Sequence, residues 1–146
     1  MKKLSRHQLR EKAVQSLYQL VIASDQFQSE DAVEFALEAG NDPEKGYSGE
    51  IDSYLITLVR GVRDNQLALD DMIKQYLSQS WTLDRIASID LTILRLAFFE
   101  VLFIDEEKVP AKVAVDEAIE LSKTFSDDRS RQFISGVLAK LLANQI

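Results

Sequence analysis

Leu9, Ala13, Leu17 and Leu20 recur at three- and four-residue intervals, the period of one face of an amphipathic helix. The spacing predicts a first helix over about residues 6–23. Its start is signalled twice: Ser5 with Gln8 three residues on forms a capping box, and Leu4 with Leu9 a hydrophobic staple. A short second helix is predicted over Glu30–Ala39, ending at Gly40 and the turn segment GNDPEKG. A long helical stretch follows from about Ser48 to Leu77, bent near Val62–Asn65, with Ile51, Leu55, Leu58, Val62, Leu69, Ile73 and Leu77 as its apolar stripe.

After Trp81 and the segment TLDRI, Ser88 is the expected N-cap of a helix over Ile89–Ile104. That helix is apolar on most sides, the pattern of a central buried element. Pro110 marks the next start, with Val113, Ala114, Ala118 and Leu121 expected inward and Asp116, Glu117 and Glu120 outward. The segment FSDDRSRQFISGVLAKLL closes the chain, with Asp127, Asp128 or Ser130 as cap of the last helix. Little alternates with a period of two, and no repeat or linker interrupts the series. The expectation is an all-α fold, a single compact helical bundle of about seven helices occupying residues 1–146 as one domain.

Composition narrows the setting. At 146 residues, 46% hydrophobic and 28% charged, the chain can bury a sizeable core without a staple. It has no Cys, which rules out a disulfide framework and a thiolate metal site. The most apolar run, LAFFEVLFI at residues 96–104, is far shorter than the roughly 20 residues that span a bilayer. The N-terminus lacks the apolar run of a secretory signal. A cytoplasmic protein with no membrane contact is expected.

Charge is distributed unevenly. Lys2, Lys3, Arg6, Arg10 and Lys12 stand against Glu11 in the first twelve residues, a local charge of +4, so the rest of a chain of net charge −7 sums to −11. Cations at a helix N-terminus oppose the macrodipole, and Arg6 and Arg10 are placed there at a cost to stability. With the free N–H groups they concentrate positive charge suited to phosphate; the competing reading is that the acidic body pairs with them. Arg10 lies at the margin of the apolar face, where it can snorkel or meet a carboxylate. Two aromatics accompany the cations: Tyr18 on the flank of the first helix, and Phe133 beside Arg129 and Arg131. Bases of single-stranded RNA stack on such rings while Arg and Lys neutralise the phosphates, although Phe133 equally suits a core position.

Candidate catalytic chemistry is sparse. The single His, His7, sits in the first turn of a helix with little to orient it, and nucleophilic catalysis needs a positioned base. No Gly-rich phosphate loop occurs. The acidic groups Asp70-Asp71, Asp116-Glu117-Glu120 and Asp127-Asp128 lack the ligand spacing of a calcium loop and read as solvated helix faces and helix-start acids. No catalytic residue, cofactor or metal is expected.

Four phrases, REKAVQSLYQ, DLTILRLAFFEVL, VPAKVAVDEAIELSKTFS and RQFISGVL, together resemble the bacterial transcription antitermination factor NusB family, in order and across nearly the whole chain. The resemblance implies a non-enzymatic, all-helical RNA-binding protein that recognises the boxA element of ribosomal RNA leader transcripts. It implies a heterodimer with the tenth small-subunit ribosomal protein, called NusE in this role, within an RNA polymerase antitermination complex. The family's arginine-rich start matches Arg6 and Arg10, extended here by Lys2, Lys3 and His7; its first-helix Tyr matches Tyr18. Ser130, Arg131, Gln132 and Phe133 match its positions at the start of the last helix, and these residues would form the RNA face. Asp84 and Asp90 match acidic positions that lie toward the ribosomal protein. The chain departs from its arginine-denser relatives at His7 and Gln8, and Arg129 stands where the family can carry an acid. Two other readings are an RNA-binding accessory domain of an rRNA cytosine methyltransferase, for which a catalytic region would have to follow Ile146, and a self-associating bundle that hides its basic end as a homodimer.

Overall fold

The computed structural model describes residues 4–23, 28–38, 51–78 and 80–145. They form seven α-helices and one short 3₁₀ turn, with no strand among the described residues. The fold is all-α, as the apolar periodicity predicts. The chain divides into two compact units, Met1–Asp64 and Asn65–Ile146.

The first unit holds α1 (Arg6–Ala23), α2 (Ser29–Glu38) and α3 (Ser53–Asp64). The capping box is made in both directions: Gln8 N donates to Ser5 Oγ at 3.1 Å, and Ser5 N donates to Gln8 Oε1 at 2.9 Å. Leu9, Ala13, Leu17 and Leu20 are buried, as their spacing requires. They meet α2 and α3, which also touch each other, through Ala32, Val33, Ala36, Leu37, Leu55, Leu58, Val59 and Val62. Lys12 Nζ donates to the Ala36 carbonyl at 2.9 Å, and Arg63 Nη1 to Ser29 Oγ at 3.4 Å. The predicted turn after α2, from Ala39 and Gly40 through GNDPEKG, and the start at Ser48 lie outside the described residues.

The predicted long helix is two helices. Helical geometry lapses at Asn65 (φ −108°, ψ 15°), and α4 (Gln66–Lys74) begins there, its first turn closed by Leu69 N donating to the Asn65 carbonyl at 2.8 Å. The bend expected near residues 62–65 is this break, at a residue whose side chain competes with helical hydrogen bonding.

In the second unit α5 (Ser88–Phe103) packs against α4, α6 (Ala111–Phe125) and α7 (Asp128–Ala143), and α6 also packs on α7. Every residue of α5 from Thr92 to Val101 is buried, which explains its near-continuous apolarity. The ion pair of Arg95 with Asp70 ties α5 to α4, with Nε and Nη2 donating to the two carboxylate oxygens at 2.8 and 3.0 Å. Tyr76 stands edge-on to Phe98, and Asn144 Nδ2 donates to the Tyr76 hydroxyl at 2.8 Å.

Two local expectations are corrected, at Ser88 and Val113. The residue preceding α5 is Ala87, in extended geometry, and Ser88 is already helical, accepting from Thr92 Oγ1 through its carbonyl. Pro110 marks the start of α6 as expected, as the residue that directly precedes it, where its missing N–H costs nothing; the neighbouring Ala111 N–H is satisfied by Glu106 Oε2 at 3.0 Å. Val113 is 44% exposed, and the inward stripe of α6 is Ala111, Ala114, Val115, Ala118 and Leu121. Around the helix the buried arc runs from Ala114 toward Val115, and Val113 lies about 100° from Ala114 on the other side, off the buried face. No described helix is long and apolar enough to cross a membrane.

Candidate nucleic-acid interface

The cations of the first unit are arranged differently from one another. Residues 6, 10, 13 and 17 form one helical stripe, and Ala13 and Leu17 lie in the core. Arg10, on that stripe, is only 3% exposed. Of the two courses expected for a cation at the margin of the apolar face, this burial favours a partnered guanidinium over one that snorkels to solvent. Arg6, at the exposed end of the stripe, lays its guanidinium over the Tyr54 ring of α3, 3.9 Å from the centroid. This cation–π contact holds the charge at the surface. His7 Nε2 lies 3.5 Å from Glu11 Oε1, and the half-buried Tyr18 is on the same stripe as this pair. Lys2 and Lys3 lie outside the described residues.

In the second unit the start of α7 is built by Asp127, which caps the helix by accepting from Ser130 N at 2.8 Å. Of the three expected caps, Asp127 is the one used. The backbone N–H and then the hydroxyl of Ser130 hold its carboxyl below the ordinary Asp value, with a smaller effect from Arg129. Arg131 Nη2 donates to Asp128 Oδ1 at 2.6 Å, so that cation is partly answered within α7. Gln132 is exposed and Phe133 half-buried.

Phe133 is neither wholly core nor wholly free. Its ring meets Trp81 at 5.8 Å between centroids, tilted by 50°. The Arg85 guanidinium lies 5.4 Å from the Trp81 ring centroid, and Arg85 Nη1 donates to the Ser80 carbonyl at 3.0 Å. Trp81, Arg85, Ile86, Asp90, Arg129 and Phe133 line a cleft of about 460 Å³, within the range of small-ligand sites. The cleft thus brings together two aromatic rings, two guanidiniums and one carboxylate.

That carboxylate is Asp90, one of the two acidic positions expected toward the ribosomal protein. Asp90 is 3% exposed and accepts a hydrogen bond from Ser126 Oγ, so it is enclosed by the α6–α7 junction. Asp84 does stand on the surface, in the 3₁₀ turn Leu83–Arg85. The hydroxyl of Thr82 donates to it and, with its own backbone N–H and the charge of Arg85, holds its carboxyl below the ordinary Asp value.

Trp81, Arg85 and Tyr54 were not singled out as site residues from sequence. Trp81 carried a usable signal: it is the only Trp in the chain and sits in a polar, aperiodic connection, where packing alone does not call for it. Tyr54 carried none, because its meeting with Arg6 joins residues 48 positions apart. Among the described residues no group of three or more His, Asp or Glu side chains is placed to hold a metal.

A family model described as "NusB family" matches residues 7–143. The chain belongs to the NusB family. Transcription antitermination protein NusB of Lactiplantibacillus plantarum is 52% identical over 142 residues, covering 97% of this chain and 97% of that one. Its counterpart in Levilactobacillus brevis is 47% identical over 142 residues, covering 97% and 95%. Among solved structures, T. maritima NusB aligns with a TM-score of 0.78 at 30% identity, covering 97% of this chain and 93% of that one. A structure of antitermination factors NusB and NusE with double-stranded RNA shares the fold, at 20% identity and a TM-score of 0.74, covering 97% and 99%. The NusB match takes in Tyr18, Trp81 and Phe133, whereas Lys2, Lys3 and Arg6 precede it.

Proposed function

We propose that this NusB-family chain is a transcription antitermination factor that binds a boxA-type single strand of ribosomal RNA leader transcripts. It works with a small-subunit ribosomal protein in the NusE role and through that complex engages elongating RNA polymerase, residues 1–146 serving as one RNA-binding domain. The observation that carries this reading is the match to the NusB family over nearly the whole chain, at 52% identity to a named antitermination protein. The relative solved with NusE and double-stranded RNA supports both kinds of partner.

The site chemistry agrees with this. Aromatic faces stack bases and guanidiniums neutralise phosphates, and the Trp81–Phe133 pair with Arg85 and Arg129 supplies both. Ser130, Arg131 and Gln132 border that pair on α7, while Arg6, His7 and Tyr18 form the contact set of α1, with Lys2 and Lys3 ahead of it. Arg10, being buried, is left out of the set. Asp84 offers an exposed negative charge to a basic ribosomal protein. Filter binding with the ribosomal protein present tests the proposal: a boxA-like strand should be retained more tightly than a scrambled strand of the same composition. Equal retention of the two would overturn it.

A further inference from the structure

Gly136 stands in the middle of α7, and the folded chain itself does not account for it. Glycine is a poor helix former because it loses the most backbone freedom on folding. Three local conditions call for one in spite of that: a left-handed backbone, a neighbour too close for a Cβ, or a helix end. Gly136 meets none of them. It is exposed, inside the helix and helical in backbone, and among the described residues a Cβ there would meet no atom within 4 Å. A side chain that the fold has no reason to omit leaves room for something outside it.

The stripe around Gly136 selects the occupant. Arg129, Phe133, Gly136 and Lys140 follow one another at four, three and four residues, on one face of α7. At 1.5 Å per residue the stripe runs about 16 Å. It carries two exposed cations and no acid, in a chain of net charge −7. The helix dipole suits Lys140 in the last turn but opposes Arg129 in the first, so helix stability does not explain the pair. On the other helix faces of this unit Lys74, Lys112, Lys123 and Arg131 each meet a carboxylate three or four residues away. Lys140 meets none among the described residues.

A second copy of this face would set cation against cation, and an apolar partner would leave both charges unanswered. An anionic chain answers both. An acidic protein segment would do so too, but it brings no flat group to the Phe133 ring, which pairs with Trp81 beside the stripe. A single RNA strand brings bases to the rings and phosphates to the cations. Its sugar–phosphate backbone is a continuous ridge, and it can come closest to the helix where a side chain is missing.

We infer that the exposed face of α7 is a track for the backbone of single-stranded RNA, in which Gly136 lets the ribose–phosphate chain lie against the helix between Phe133 and Lys140. The inference rests on the RNA-binding reading above. It assigns Gly136 and Lys140, which that reading leaves unused, to positioning the strand and not to reading its sequence.

The test uses the full chain with the ribosomal protein present, and filter binding of a boxA-like strand and its scrambled counterpart. Gly136→Ala should raise the melting temperature by about 3 °C, since alanine is the better helix former and no neighbour opposes its methyl group. The same variant should hold RNA about fivefold less tightly, the low end of the cost of crowding a packed contact. Gly136→Leu should lose more, and Lys140→Gln should also weaken retention. In all three variants the ratio between the two strands should stay at the parent's value, because phosphate contacts carry no sequence information. Parental affinity in both glycine variants, with the boxA-like strand still preferred, would overturn the inference and leave the RNA reading standing. Retention of neither strand by the unaltered chain would overturn both. A fall in melting temperature for Gly136→Ala would overturn the inference by showing that the fold needs the glycine. A loss confined to the boxA-like strand would overturn it by making the contact one that reads bases. Loss of the ribosomal protein by a glycine variant, in a pull-down without RNA, would overturn it and assign the face to the protein partner.

Discussion

Arg6 and Arg10 are one helical turn apart on α1, and the fold gives them opposite fates. Arg6 rests on Tyr54 at the surface, while Arg10 follows Ala13 and Leu17 into the core. Their substitutions should therefore separate. Arg6→Ala should weaken RNA binding across sequences and flatten the salt dependence by about 0.7 units of log–log slope, measured by filter binding over a salt series. Arg10→Ala should leave that slope unchanged and lower stability by roughly 1–3 kcal/mol, through lost packing and the partners left behind, measured by urea denaturation. Asp127 gives a pH signature. Its carboxyl is held below the ordinary Asp value in the folded chain by Ser130, so the cap contributes stability above the unfolded-state pKa and loses it as pH falls through the lower folded value. Asp127→Ala should be less stable than the parent at neutral pH, and the difference should fade as pH drops below about 4. A difference that persists in acid would show that the cap is not what the substitution removes.

At the scale of elements, α5 is the frame of the second unit, and its one bidentate ion pair joins it to α4. Both side chains of the Arg95–Asp70 pair are largely enclosed, 11% and 15% exposed. Removing one partner of such a pair strands the other charge, whereas replacing both with apolar groups can be nearly neutral. Asp70→Asn should cost about 3 kcal/mol, and the double replacement of Asp70 and Arg95 by Leu and Met should recover most of the loss. Calorimetry or urea denaturation of the three variants checks this; a double variant as unstable as the single one would show that the pair is more than a compensated charge. The same element also shows how far periodicity can be read. The burial of α5 was legible because it is apolar on nearly every side. The inward position given to Val113 was not, since a stripe of small residues beside it sets the true face of α6.

For the whole molecule, a net charge of −7 means that RNA binding depends on local cations against an unfavourable background field. Arg6, Arg85 and Arg129, with Lys2 and Lys3, as phosphate contacts predict a log–log salt slope of about −3.5 for a single strand, at about 0.7 per contact. Filter binding across a salt series measures it. A slope near zero would move the binding onto base contacts alone, and a much steeper one would require cations beyond these five.

The helices, the capping box of α1 and the choice of an all-α fold are local properties. They follow from apolar spacing and from side chains that satisfy backbone groups within four residues, so they could be read along the chain. The basic start was visible in the same way, as an excess of charge that helix formation does not need. Which of those charges reach solvent was not visible, because burial of Arg10 and the seat of Arg6 on Tyr54 of α3 are set by tertiary packing. The cleft lay furthest from view. Trp81, Asp90 and Phe133 come from three separate segments, and no spacing rule relates them; Asp90, which as a sequence position resembled part of an open acidic face, became a buried acceptor once the α6–α7 junction closed over it.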